Sequence, residues 1–287
     1  MKYCIGDTVV CINVEEQNLH SNFQAFRCDE SEEPQLTIDI VEEPEMTMNI
    51  QMTVGQIMLM ESEEIGVFEG AMGIDLLYPK NVQLTSIAIA KGYRSAKAYV
   101  VQDAEGKWKE ELFLALRDVI YLALEQNGRF VLDSSSLLVD GRGVILAADP
   151  NAEFAGICQG KQIGKILNDS ANIIGIYKER LYLYGTPWCS PEAVQAERAP
   201  LGGIVFLKKS DAGAVTDLPE DKRQLLMLVH CKSPFWREGL LDQCLNTIQR
   251  VEPSVWIRQL ESHADEAAAD VLKPALDTIE NDTVAEY

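Results

Sequence analysis

A turn between an apolar strand and a helix can gather backbone amides around a phosphate. The segment VILAADPNAEFAGICQGK (144–161) has that strand–turn–helix rhythm. A phosphate-gripping version needs glycines so that the backbone can close on the ligand, then a lysine for charge and a Ser or Thr for Mg²⁺. Here the turn holds Asp149, Pro150, Asn151, Ala152, Glu153, Phe154 and Ala155, with no glycine before Gly156 and no lysine before Lys161. Phe154 cannot neutralise a phosphate, and Ala155 offers no metal ligand. The Glu153 carboxylate would repel one by about 1–4 kcal/mol, depending on the effective dielectric. Asp149-Pro150-Asn151 is instead a good turn and helix-cap sequence. Phe154, Ile157 and Cys158 follow at the spacing of a helix face turned to a core. On residue types alone, this is an ordinary capped turn.

The remaining nucleophiles and ligands are poorly placed for chemistry. His230 and Cys231 are adjacent, and neighbours in a helix or strand do not face each other. Cys189 follows GTPW in a loop with no base nearby in the sequence. Ser134, Ser135 and Ser136 lack a G-x-S-x-G elbow. The three histidines (His20, His230, His263) are too dispersed for a metal site, and the seven cysteines include no C-x-x-C pair. The expectation for the cysteines is buried and reduced.

The elements that would position these residues follow from composition and pattern. At 287 residues, 47% hydrophobic and 24% charged, the chain is globular. A net charge of -20 excludes a basic nucleic-acid surface and disfavours an anionic membrane. No apolar run reaches the roughly 18 residues of a membrane span, and the N-terminus does not read as a signal peptide, so a cytoplasmic protein is expected.

Residues 1–105 read as a β-rich acidic region, with strands at 9–14, 36–41, 86–90 and 97–101. A further strand at 46–54 would place Met46, Met48, Ile50, Met52 and Val54 on one face. Residues 28–79 contain no Lys or Arg. The segment 109–128 predicts a central buried helix capped by Gly128. A second domain, 106–276, then runs through a hairpin at Asp140-Gly141 and strands at 165–169, 173–177, 180–186, 201–209 and 254–261. Helices are expected at 218–231, 233–251 and 263–276, the second capped by Ser233 with Pro234 in its first turn, and 277–287 reads as an acidic flexible tail. The fold class expected is α/β (α+β): a mixed β-sheet core with C-terminal helices, preceded by a β-rich N-terminal region.

One set of motifs has an order that goes beyond periodicity. FVLDSSSLLVDGRGVILAADPNAEF, KILNDS, RLYLYGTPW and RAPLGGIVFLKK succeed one another between Phe130 and Lys209. That succession resembles the C-terminal domain of bacterial HPr-kinase-like proteins of the phosphoenolpyruvate-carboxykinase-like superfamily. There a phosphate loop A-P-S-G-T-G-K-S-T precedes L-N-D-D, Y-G-T-P-W and a P-L-x-x-I-x-F-L strand. The resemblance spans roughly 110–275 and implies a mixed-sheet phosphotransferase fold. The loop would fall on Ala148 to Gly156, putting Phe154 at the lysine, Asn151 and Glu153 at glycines, and Ala155 and Gly156 at the hydroxyl pair. The family's upstream histidine falls on Asp133, and the acidic pair on Asp169 and Ser170. Asn168, Asp169, Thr186, Pro187 and Trp188 match.

What the resemblance implies is therefore a pseudoenzyme with a degenerate loop, since charge stabilisation is most of phosphoryl-transfer catalysis. No catalytic residue, cofactor or nucleotide is expected. The chain would act through contacts with a protein partner, a basic one being favoured by its acidity, as an accessory factor in a peptide-maturation system such as some relatives serve. The alternative is a divalent-cation-dependent enzyme with repurposed chemistry, holding its ion on Asp169 with Asp149 or Glu153. A third reading is an α/β binding module whose kinase-like motifs are coincidental.

Overall fold

The runs VILA and GIVFL are apolar without alternation, as strands covered on both faces must be. The computed structural model, which describes residues 1–43, 56–80, 84–147, 152–232, 236 and 238–279, places both in a parallel, doubly buried setting. The chain divides into two units, residues 1–127 with 234–241, and residues 128–233 with 242–287. It is a mixed α/β protein. No helix among the described residues is long and apolar enough to cross a membrane.

Among the described residues, the first unit is built on an eight-stranded mixed sheet. Its strands are β1 (Lys2–Ile5), β2 (Thr8–Asn13), β3 (Leu36–Glu42), β4 (Ile57–Glu61), β5 (Gly66–Gly70), β6 (Gly73–Leu77), β7 (Leu84–Ala90) and β8 (Ser95–Val100), in the order β1-β2-β3-β8-β7-β6-β5-β4. The β2–β3 and β3–β8 pairs are parallel. Helix α1 (Lys107–Gln126) packs on β2, β7 and β8 and buries residues around most of its circumference, from Trp108 to Leu124. It ends on Asn127 with Gly128 in the left-handed region (φ 70°), the C-terminal stop that the sequence predicts. Strands β1, β4, β5 and β6 were not expected. The methionine-striped segment 46–54 lies outside the described residues.

In the second unit, the expected two-strand hairpin is three strands. They are β9 (Phe130–Asp133), β10 (Ser135–Val139) and β11 (Arg142–Ala147), with the chain leaving one partner for another at Ser134. The Asp140-Gly141 turn between β10 and β11 has φ values of 47° and 79°, as a two-residue turn of the primed type requires. Next come α2 (Ala152–Gly160), β12 (Lys165–Asn168), β13 (Ala171–Tyr177), β14 (Arg180–Tyr184), β15 (Arg198–Lys208), β16 (Ala214–Asp217), α3 (Glu220–Val229), α4 (Glu238–Val251), β17 (Trp256–Glu261) and α5 (Glu266–Leu276). Helix α5 is capped by Asp265, whose carboxylate accepts the Ala268 N–H. Ser233 and Pro234, expected as the α4 cap, lie outside the described residues, as does the tail from 280.

Strand β15 organises this unit. Its start pairs antiparallel with β14, and from Leu201 it runs parallel to β11 and from Gly203 parallel to β17. Residues along β11 and β15 alternate between two cores. Val144, Leu146 and Val205 pack with Phe154 and Cys158 of α2 and Leu272 of α5, while Ile145, Ala147, Ile204 and Phe206 pack with Met227 of α3 and Ile248 of α4. Gly203, which weakens the strand as a sequence, is needed here: a Cβ would stand 2.7 Å from the Trp256 ring.

A second tight turn has no sequence signature. Lys178 and Glu179 join β13 to β14 with φ of 48° and 65°, a strained pair without Asn or Gly. Glu179→Gly is expected to relieve about 1 kcal/mol of that strain and raise the urea midpoint at unchanged slope. A lowered midpoint would show that Glu179 holds the turn by a side-chain contact.

Candidate functional site

The pairing Ser135↔Leu146 and Ser136↔Asn168 brings the start of β10, the end of β12 and the end of β11 to one edge of the second unit. Ligands of α/β sheets sit at the carboxyl ends of parallel strands, so this edge is the candidate site.

Its scaffold is two buried carboxamides. The Asn168 oxygen accepts the N–H groups of Ser170 and Ala171, both at 3.0 Å, closing the turn from β12 to β13. The Asn168 amide donates at 3.4 Å to the carbonyl and hydroxyl of Thr186, whose hydroxyl donates to the Ala171 carbonyl at 3.1 Å. Asn172 donates to the Ser134 carbonyl at 2.6 Å and hydroxyl at 3.0 Å, and accepts from the Ser136 hydroxyl at 2.6 Å. Asn168, Asn172, Thr186 and Ser134–Ser136 are fully buried. The serine run thus fastens the break between β9 and β10, with its hydroxyls engaged rather than poised for attack.

The loop 185–190 is held just as tightly. A Cβ on Gly185 would come within 2.2 Å of the Gln195 carbonyl, so the first residue of GTPW must be glycine. The Gln195 amide in turn donates to the Ile166 and Leu167 carbonyls of β12, at 3.0 and 2.8 Å. Pro187 and Trp188 are buried. Asp169 is half-buried, and its Oδ1 accepts the Ser190 N–H at 3.0 Å. The Cys189 thiol donates to the Thr186 carbonyl at 3.2 Å. Burial pushes that thiol up to about 12; the Asp169 charge adds to the rise and the Asn168 hydrogen bond opposes it. Roughly one part in 10⁵ would be thiolate at pH 7, so Cys189 is not an activated nucleophile.

Of the loop positions, Asp149, Pro150 and Asn151 lie outside the described residues, and Ala152 opens α2. Glu153 is exposed. Phe154 and Ala155 point the other way, 1% and 0% exposed, in the core between the sheet and α5. The nearest downstream lysine, Lys161, is bound to both oxygens of Asp270 at 2.9 Å and lies 3.5 Å from Glu266. Asp270 raises its pKa further.

Sequence reasoning missed Lys232. The segment 230–232 lies against β9: His230 O accepts the Asp133 N–H at 2.7 Å, Lys232 N–H donates to Val131 O at 2.8 Å, and Cys231 bridges Leu132. This sets Lys232 Nζ 2.8 Å from an Asp133 carboxylate oxygen, both side chains about half exposed. The pair spans a hundred residues of chain and carries no motif. Among the described residues no three His, Cys, Asp or Glu groups are arranged to hold a metal ion.

No family profile matches the chain, and no curated protein matches it. A solved structure, the Hpr(Ser) kinase/phosphatase from Coxiella burnetii, is similar at 13% identity over 43% of this chain and 97% of its own, with a TM-score of 0.24. That superposition is too poor to carry an argument about fold or function.

Two outcomes test the geometry. Asn168→Ala strands the Ser170 and Ala171 N–H groups, the second of them buried, and should cost about 2 kcal/mol of unfolding free energy, read by urea titration; a loss under about 0.5 kcal/mol would mean that water replaces the amide. Alkylation of Cys189 by iodoacetamide, followed by peptide mass mapping, should be slow at pH 7 and still rising at pH 11. Asp169→Asn removes a negative charge that disfavours the thiolate, and so should shift this profile to lower pH.

Proposed function

We propose that the chain is a non-catalytic HPr-kinase-like protein that acts through contacts with a protein partner, as an accessory factor in a peptide-maturation system. One observation carries the non-catalytic part. The positions that the family motif gives to the loop lysine and hydroxyl are Phe154 and Ala155, and both are core residues under α2. A lysine there would have no path to a phosphate at the sheet edge. Lys232, which the fold sets on Asp133 at the end of β9, is already matched by that carboxylate.

Two features support a protein partner. Residues 28–79 carry thirteen carboxylates and no Lys or Arg, a field that would steer a basic surface. In the same unit Ile57 (64% exposed), Met58 (52%) and Met72 (85%) present apolar side chains. The peptide-maturation assignment rests on analogy with HPr-kinase-like relatives. For the cation-dependent alternative, Asp169 holds the Ser190 N–H on Oδ1, Glu153 faces solvent, and Asp149 lies outside the described residues.

A thermal-shift titration with ATP, GTP and pyrophosphate, with and without Mg²⁺, decides between these readings. No saturable shift is expected at millimolar ligand, and one at micromolar ligand would overturn the proposal, since a specific binder raises Tm by mass action. A shift with Mg²⁺ or Mn²⁺ alone, lost in Asp169→Ala, would instead install the cation-dependent reading. Phe154→Lys should lose about 4 kcal/mol of stability by burying an unpaired charge and should gain no nucleotide response.

A further inference from the structure

The Cys231 and Cys244 sulfurs stand 3.3 Å apart, thirteen residues apart in the chain and both in the second unit. Each is fixed by its own element. Cys231 sits in the 230–232 segment held against β9 by backbone hydrogen bonds on either side of its bridge to Leu132. Cys244 lies on α4, fully buried, with Ile248 and Val251 in the core against which Cys231 packs. A disulfide needs sulfurs about 2.05 Å apart, so closure asks for a further approach of roughly 1.3 Å, within reach of side-chain rotation.

We propose that Cys231 and Cys244 are a redox-modification site that closes to an intramolecular disulfide by exchange with a small disulfide such as oxidised glutathione. The exposures assign the order of events. Cys231 is half-buried and can be reached from solvent, whereas Cys244 is closed to any small molecule and can meet only its neighbour.

In the first step the Cys231 thiolate attacks one sulfur of glutathione disulfide, forming a mixed disulfide and releasing one glutathione thiolate. In the second, the Cys244 thiolate attacks the Cys231 sulfur and expels the second glutathione. Two protein thiols are oxidised to one disulfide, one glutathione disulfide is reduced to two thiols, and the two protein protons end on them. The bond ties the Lys232-bearing segment to α4 beside the Asp133 pair.

The test treats the full chain with oxidised glutathione at pH 8, quenches with iodoacetamide, and maps peptides without reduction. The expected product joins the Cys231 and Cys244 peptides with loss of two hydrogens. Its Tm should exceed that of the reduced chain by roughly 3–5 °C. Cys231→Ser, a half-buried change that the fold should accept, must abolish both the linkage and the Tm rise. A stable glutathione adduct on Cys231 with Cys244 alkylated after unfolding would overturn the proposal, as would linkage of either residue to a different cysteine.

Discussion

A carboxamide sealed from water must have its oxygen and both its N–H groups engaged inside the protein, because each buried group left alone costs about 1–3 kcal/mol. Asn168 and Asn172 meet that demand in opposite directions. Asn168 gathers the turn into β13 and the loop at Thr186. Asn172 gathers the serine run at the break between β9 and β10. Through them two antiparallel strands, one turn and one loop become a single hydrogen-bonded unit. The half-buried groups on its surface, Asp169, Cys189 and Ser190, have no freedom to be anywhere else. The L-N-D and G-T-P-W motifs thus have a full structural reason to exist, whether or not a ligand ever rests on them.

The electrostatics of that edge follow from the same rigidity. The chain carries a net charge of -20, and two lysines beside the ends of the second unit's strands sit on carboxylates. Lys232 lies on Asp133, and Lys208 on Glu261 at 3.1 Å. Both lysines are half exposed or more, so each pair is screened by solvent and weak.

How much of this was legible in the sequence depended on the range of the interaction. The Asp140-Gly141 turn, the α1 stop at Gly128 and the apolar runs of β11 and β15 are local signals, and all were readable. Strands β4 to β6 were not, because IMLME and GVFEG do not alternate cleanly and the carboxylates between them read as solvated edge. The Lys178-Glu179 turn was hidden because neither residue is one that favours positive φ. At the site, residue types alone showed that Phe154 could not serve a phosphate and that the serines lacked an elbow. They could not show that the serines answer to Asn172, nor that Lys232 and Cys231 return to β9 from a hundred residues away. Those contacts exist only once the sheet has closed.

The position of β15 also has a consequence for how the chain is made. Its edge from Gly203 to Lys208 is completed by β17, whose first partner, Trp256, comes roughly fifty residues later. At ribosomal speeds of about 5–20 residues per second, that apolar edge waits several seconds for its neighbour to emerge. During that interval the strand is a template for any extended segment nearby, and α3 and α4 are made while it waits. Nascent chains stalled between 210 and 255 would be the aggregation-prone species, and β17 is the strand that closes this edge.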